Sequence, residues 1–281
     1  MYMLQPGELI DLWFKEDIGN GDHTTFSTIP ADAKGSATLL VKEKGILAGV
    51  EIARLIFSRF DPDLGLKIFL KDGSSIQEGD TVLQVSGKVR SILQSERLVL
   101  NVMQRMSGIA TETSKYVKLL EGTGTRVLDT RKTTPGFRAM EKEAVRIGGG
   151  VNHRIGLYDM ILIKDNHIDF AGGIVKAIEG AVAYLKEQNL NLKIEVEVRS
   201  LDDIKKVLST GKVDRILLDN FSVRKTLEAV KLIDGQIETE SSGGISFDTI
   251  RAYAKCGVTY ISVGALTHQI KSLDLSLKAD F

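Results

Sequence analysis

The pattern of apolar and polar positions divides the 281-residue chain into two textures. Up to about residue 120, short strand-like runs mix with helices. Residues 37–49 (ATLLVKEKGILAG) and 66–89 (LKIFLKDGSSIQEGDTVLQVSGKV) alternate apolar and polar side chains between glycine-containing turns, the pattern of antiparallel strands. Residues 51–60 between them predict a short helix. From Ser95 to Leu120 the period becomes helical. Leu98, Asn101, Val102, Arg105, Ile109 and Thr113 fall near one face, and Gly108 weakens the middle.

Beyond residue 120 the chain beats regularly. Apolar runs at 126–130, 160–164, 193–198, 214–219, 235–241 and 259–265 alternate with helical stretches. The clearest helix is predicted from Gly172 to Gln188, with Ile174, Ala177, Ile178, Ala181, Val182 and Leu185 on one face. Strands alternating with helices mean a parallel sheet with right-handed crossovers. About six such units in so short a stretch predict a closed or nearly closed βα barrel, with an open doubly wound sheet as the alternative.

Composition narrows the class. The chain has 43% hydrophobic residues, and its 37 basic residues balance 37 acidic ones, which excludes a disordered chain. A neutral balance without an aromatic ladder gives no reason to expect nucleic acid as partner. No apolar run approaches the length of a membrane span, and MYMLQPGELIDLWF lacks the layout of a signal peptide. The lone Cys256 excludes an internal disulfide and reads as core filler in a late helix. The expectation is a soluble cytoplasmic protein.

The candidate chemistry lies where strands end. The first of the six strands runs into Asp129, Arg131 and Lys132, and Lys164 ends the second. Glu195 and Glu197 lie on the third, Asp219 ends the fourth, the fifth runs into Ser241 to Gly244, and the sixth ends at Gly264. Parallel βα barrels build active sites at these strand ends. From Arg126 to Lys164 there are eight basic residues against four acidic ones, and His153 adds a ninth cation when protonated. Lys142 and Arg146, with Glu143, read as a helix face of charge pairs. Arg131, Lys132, His153, Arg154 and Lys164 instead point to a polyanionic ligand. GGGVNHR (148–154) and SSGGIS (241–246) resemble phosphate cradles, the second opening a helical stretch from Phe247 to Lys255. Glu197 and Asp219 either bind ribose hydroxyls, hold Mg²⁺, or neutralise neighbouring cations.

These segments resemble the quinolinate phosphoribosyltransferase family. EDIGNGDHTT (16–25), ERLVLNVMQRMSGIAT (96–111), LDTRKTTPG (128–136), GGGVNHRIGLYDMILIKDNHI (148–168), EVEV (195–198), LLDN (217–220), SGGI (242–245) and ISVGALTH (261–268) match that family's motifs in order. The resemblance implies an α/β fold: an N-terminal α/β sandwich over 1–107, rejoined by 269–281, and an incomplete α/β (TIM-like) barrel over 108–268. It implies transfer of a phosphoribosyl group from phosphoribosyl pyrophosphate to quinolinate with decarboxylation, giving nicotinate mononucleotide, pyrophosphate and CO₂ with Mg²⁺. Substrate-binding positions fall on Arg105, Arg131, Lys132, His153, Arg154, Lys164, Glu197 and Asp219. Lys132, Lys164, Glu197 and Asp219 are the catalytic candidates, and Glu197 and Asp219 would meet the metal indirectly. The phosphate site falls on Ser242, Gly243, Gly244 and Gly264. In this family the site forms in a homodimer or larger even oligomer, with Arg105 supplied by the partner subunit. ESSGG, EVEVRS and IGGG depart from the usual family wording, and Arg199 is an added charge without an assigned role.

Two other readings compete. One is a related enzyme acting on nicotinate or another ring acid, including a paralogue linked to molybdenum metabolism. The intact TRKTTPG and IKDNHI stretches argue against that paralogue. The other is a carrier module, since residues 71–87 faintly resemble the strands of biotinyl or lipoyl carriers. No lysine stands at a hairpin tip in the carrier manner.

Overall fold

The alternating runs form strands and the 3.6-period runs form helices in a computed structural model that describes residues 6–280. The first five residues, which begin the MYMLQPGELIDLWF segment, and Phe281 lie outside the described residues. The chain opens with α1 (Pro6–Ile18) and α2 (His23–Thr28), followed by β1 (Lys34–Val41), β2 (Gly45–Ile46), α3 (Val50–Phe60), β3 (Gly65–Ile68), β4 (Ser75–Ile76) and β5 (Thr81–Lys88). Then come α4 (Val89–Leu120), β6 (Arg126–Leu128), α5 (Arg138–Ile147), β7 (Ile161–Ile163), α6 (Asp165–Ala171) and α7 (Ile174–Glu187). The remainder is β8 (Ile194–Val198), α8 (Leu201–Thr210), β9 (Arg215–Asp219), α9 (Val223–Ile233), β10 (Glu238–Ser242), α10 (Ile250–Ala254), β11 (Tyr260–Ser262), α11 (Ala265–His268) and β12 (Leu275–Ala279).

The chain divides into two compact units. The first takes the residues up to Ser114, Thr133–Gly149 and the tail from Leu266. Its four-stranded sheet has the order β12-β1-β5-β3, antiparallel throughout, as the alternating runs predict. Leu39, Val41, Ile56, Phe57, Leu83, Val85, Met103 and Met106 form its buried apolar core. The GNGD segment is a helix-to-helix turn. Gly19 and Gly21 take positive φ, and Asp22 caps α2 by accepting the Thr25 N–H at 3.0 Å. Gly108 lies where the returning tail crosses α4: a Cβ there would collide with the Lys271 carbonyl oxygen. Asp280 accepts from the side chains of Ser36 (2.7 Å), Thr38 (2.8 Å) and Gln84 (2.8 Å), latching β12 onto β1 and β5.

The second unit takes Lys115–Lys132 and Gly150–Ala265. Its six strands are parallel, in the order β7-β8-β9-β10-β11-β6. A doubly wound sheet reverses strand order at a switch point. Here the order runs on from β7 to β11 and meets β6, as in a barrel. Val151 adds one parallel bridge beside Leu128, and β6 and β7 do not pair, so the barrel is incomplete. α7 starts at Ile174 rather than Gly172. Gly172 (φ 78°) ends α6 in the left-handed conformation, and Gly173 (φ 128°) redirects the chain. α10 is a short helix rather than the stretch predicted from Phe247, because the chain first turns at Ser246–Thr249.

Candidate active site

The strands of the second unit are parallel, so their C-terminal ends lie at one end of the sheet. Arg131, Lys132, Lys164, Asp219, Ser242, Gly243, Gly244 and Gly264 lie at or just beyond these ends, and Glu197 is one residue before the end of β8. His153 and Arg154 follow the Val151 bridge, which extends the sheet beside β6. The structure therefore gathers eleven of the twelve predicted positions into one unit. Residues i and i+2 of a strand share a face. Glu195 and Glu197 thus lie on one side of β8, Arg215 and Asp219 on one side of β9, and Glu238, Glu240 and Ser242 on one side of β10.

The outer part of this face is mixed in charge. Lys164 Nζ lies 3.4 Å from Glu197 Oε2; the lysine side chain is half exposed and the glutamate is nearly covered. Asn220 Nδ2 donates to Asp219 Oδ2 at 2.7 Å. Arg131 and Lys132 are exposed, whereas Arg154 is buried and donates from Nη1 to the Met160 carbonyl at 3.2 Å. Burial, and then the charge of Arg131, hold the Arg154 pKa below the ordinary arginine value. Gly243 (φ 92°) has no alternative here: a Cβ would collide with Asn220, itself in the left-handed region at φ 53°. Asn220 N–H donates to the Ser242 carbonyl at 2.9 Å, which ties the end of β9 to that of β10.

The glycines at 148–150 do other work than the sequence suggests. A Cβ on Gly148 would collide with the Ala110 carbonyl oxygen, so that glycine lets α5 end against α4, and Gly149 (φ 89°) makes the turn. The expectation for Lys142 also fails. Arg146 pairs with Glu143 as predicted, but Lys142 is 1% exposed and belongs to the interior of the first unit.

Arg105 lies in the first unit. It donates to Glu141 Oε1 from Nη2 (2.8 Å) and Nε (3.3 Å), and to the Thr267 carbonyl. Glu141 is fully buried and also accepts from Thr134 N–H (3.1 Å) and Oγ1 (2.9 Å). Arg105 lines a cavity of about 460 Å³ with Trp13, Asp17, Leu98, Val102 and Phe137.

Deeper along the same strands is a charged cluster that the sequence reading left out. His153 Nε2 lies 3.0 Å from Glu195 Oε2 and 3.4 Å from Glu240 Oε2. Arg215 Nη1 lies 3.2 Å from Glu240 Oε2 and 3.9 Å from Glu195 Oε2, and its guanidinium stacks 4.2 Å from the Tyr260 ring centroid. Neither oxygen of Glu195 accepts a well-directed hydrogen bond from a described residue. Burial pushes Glu195 up to about 7, opposed by Arg215. Burial and the neighbouring Glu195 push Glu240 up to about 8. At neutral pH the two acids therefore share a proton. The missed signal is the period-two pattern itself: in EVEV both glutamates must share the inward face once Val196 and Val198 face the helices.

The donors also suit a magnesium ion arriving with phosphate. Lys164 contacts one oxygen of Glu197 and Asn220 donates to one of Asp219, which leaves each carboxylate a second oxygen. Mg²⁺ is typically held by one or two carboxylates completed by phosphate and water oxygens. No described helix is long and apolar enough to cross a membrane.

Comparison with known proteins matches residues 22–107 to the quinolinate phosphoribosyl transferase N-terminal domain and residues 109–278 to its C-terminal domain. The chain is 46% identical to the chloroplastic nicotinate-nucleotide pyrophosphorylase [carboxylating] of Arabidopsis thaliana, over 97% of this chain and 82% of that protein. It is 41% identical to the probable nicotinate-nucleotide pyrophosphorylase [carboxylating] of Bacillus subtilis, over 99% of this chain and 94% of that one. The crystal structure of NadC from Streptococcus pyogenes superposes with a TM-score of 0.92 at 39% identity, covering 100% of both chains.

Proposed function

The chain belongs to the quinolinate phosphoribosyltransferase family, and on that premise we propose how its residues divide the reaction. The enzyme transfers phosphoribose from phosphoribosyl pyrophosphate to quinolinate and releases CO₂, forming nicotinate mononucleotide for NAD biosynthesis. One observation supports the residue assignment: Arg131 and Lys164 follow strands at the C-terminal end of one parallel sheet, as do Asp219 and the Gly-Gly turn, with Arg154 acted on by Arg131 and Lys164 beside Glu197.

Quinolinate brings two carboxylates. Arg131, Arg154 and Lys164 neutralise and orient them, so that the ring nitrogen faces the ribose carbon. Ser242, Gly243, Gly244 and Gly264 take the ribose phosphate through backbone N–H groups. Glu197 and Asp219 hold the ribose hydroxyls and stabilise the positive charge that grows on the ribose as pyrophosphate leaves. Lys132 meets the pyrophosphate or a carboxylate. Bound Mg²⁺ would neutralise pyrophosphate charge, and Glu197 and Asp219 would reach it mainly through phosphate or water oxygens. The ring nitrogen becomes cationic once alkylated, and it draws the electron pair left by the departing CO₂. No side-chain nucleophile is required. His153 adjoins this set, with Nδ1 accepting the Arg154 N–H and Nε2 facing the Glu195 carboxylate.

Arg105 belongs, on this reading, to the partner subunit's site in a homodimer. A mixture of Arg105→Ala and Lys164→Ala chains is expected to recover activity on subunit exchange. Proven exchange without recovery removes the shared site. The cytoplasm is the location assigned, in keeping with a single cysteine that is free and buried. The main test incubates wild type and Arg131→Ala with quinolinate, phosphoribosyl pyrophosphate and Mg²⁺ and follows nicotinate mononucleotide. The variant is expected to lose about a hundredfold or more in kcat/KM while unfolding as wild type does. Wild-type kinetics in Arg131→Ala removes that residue from the site.

A further inference from the structure

The buried cluster around His153 is not used by the reaction scheme above, yet it touches the segment that carries Arg154. His153 Nδ1 accepts the Arg154 backbone N–H at 2.6 Å. A nitrogen that accepts carries no proton, so the neutral ring holds its proton on Nε2. That nitrogen lies 3.0 Å from Glu195 Oε2 and 3.4 Å from Glu240 Oε2. On the backbone side, Asp129 Oδ1 accepts the His153 N–H at 2.8 Å. Residue 153 is therefore hydrogen-bonded at its main chain and at Nδ1, while Nε2 faces two buried carboxylates at close range.

We propose that Glu195 and Glu240 are positioning residues for Arg154, acting through His153, which they hold so that the Arg154 backbone and guanidinium keep their place. The need is electrostatic. The charge of Arg131 acts against that of Arg154, which is itself buried. A guanidinium under such a force keeps its geometry only if the backbone beneath it does not yield. The inference rests on the assignment of Arg154 to a quinolinate carboxylate and adds the machinery behind it.

The same three side chains also have the makings of a metal site, since their ligand atoms all lie within 4.8 Å of one another. Tautomer and charge decide against that. A metal on Nε2 requires the proton on Nδ1, and Nδ1 faces an N–H. A cation is already present, in the guanidinium of Arg215 at 3.2 Å from Glu240.

Two double variants and one spectrum test the proposal. In Glu195→Leu/Glu240→Leu, both carboxylates facing Nε2 go while the volume stays filled. The KM for quinolinate is expected to rise about tenfold or more, with the KM for phosphoribosyl pyrophosphate within about twofold of wild type. Glu195→Gln/Glu240→Gln keeps amide oxygens as acceptors and is expected to stay within about threefold on both. An unchanged quinolinate KM in a folded leucine variant, or an equal rise in both KM values, overturns the proposal. Nitrogen NMR of ¹⁵N-histidine wild type does not depend on turnover or on the variants folding, and there are only four histidines to assign. A protonated Nε2 and bare Nδ1 on His153 support the clamp. A protonated Nδ1, or an Nε2 shifted by added Zn²⁺, overturns it. Should wild type fail to convert quinolinate while the nitrogen pattern holds, the functional assignment fails and the clamp does not.

Discussion

Glu195 and Glu197 are two residues apart on one strand and share its inward face, yet they live in different worlds. Glu195 is fully buried against His153 and Arg215, with its pKa pushed up to about 7. Glu197 instead pairs with a half-exposed Lys164 at 3.4 Å. β10 repeats the contrast: Glu240 lies in the buried cluster and Ser242 opens the Gly-Gly turn. A step of roughly 7 Å along the strand separates scaffold from chemistry. Inside the barrel, buried charges of opposite sign lie within 4 Å of one another, although both Glu195 oxygens and Arg215 Nε make no hydrogen bond among the described residues. At the strand ends the charges are more open to solvent, as in the half-exposed Lys164.

The sharpest way to break that contrast is to remove the Arg215 guanidinium from the inner layer. Arg215→Met leaves Glu195, Glu238 and Glu240 without their guanidinium, and stability is expected to fall by about 3 kcal/mol, measured by urea unfolding at pH 7. A loss below about 1 kcal/mol would mean that the inner layer is not the interdependent network described. A smaller effect follows from pH. Glu195 and Glu240 have folded-state pKa values raised from 4.5 to about 7 and about 8. Below about pH 4.5 both are protonated in either state, and their contribution is fully present. Above it the unfolded chain releases the protons first, so this contribution is lost as pH rises towards 8. Wild type is expected to show that decline between pH 5 and pH 8, and Glu240→Gln to flatten it; an unchanged slope in the variant would assign the decline elsewhere. The smallest effect is expected outside both layers. Arg199 pairs with Asp169 on an exposed surface at 3.1 Å, so Arg199→Ala should keep kcat and KM within about twofold of wild type.

The outer layer was legible in sequence and the inner one was not, for a physical reason. Strand ends are found from the alternation of apolar runs, and polar residues there need no further explanation once a parallel barrel is recognised. Arg215, Glu238 and Glu240 look like surface charges in any linear reading, because a buried charge is costly unless its partners are known. Those partners come from other strands, 20 or more residues away, as with Arg215 and Glu240. Lys142 deceived in the same way: its sequence neighbours pair on the surface, while it turns inward. Helix ends were misjudged where glycine carried two duties, as at Gly172 and Gly173. α4 begins at Val89 rather than near Ser95, since β5 runs into it with no intervening turn.

The pairing of β12 with β1 also sets an order of events during translation. Residues 275–279 complete a sheet begun by residues 34–41. The portion that leaves the ribosome first is thus the last to be finished. Until residues 275–279 emerge, that edge of β1 stands open to any passing strand. A chain cut before Leu275 would carry its barrel segments beside a sticky sheet, a product fit for a chaperone or a protease rather than for catalysis.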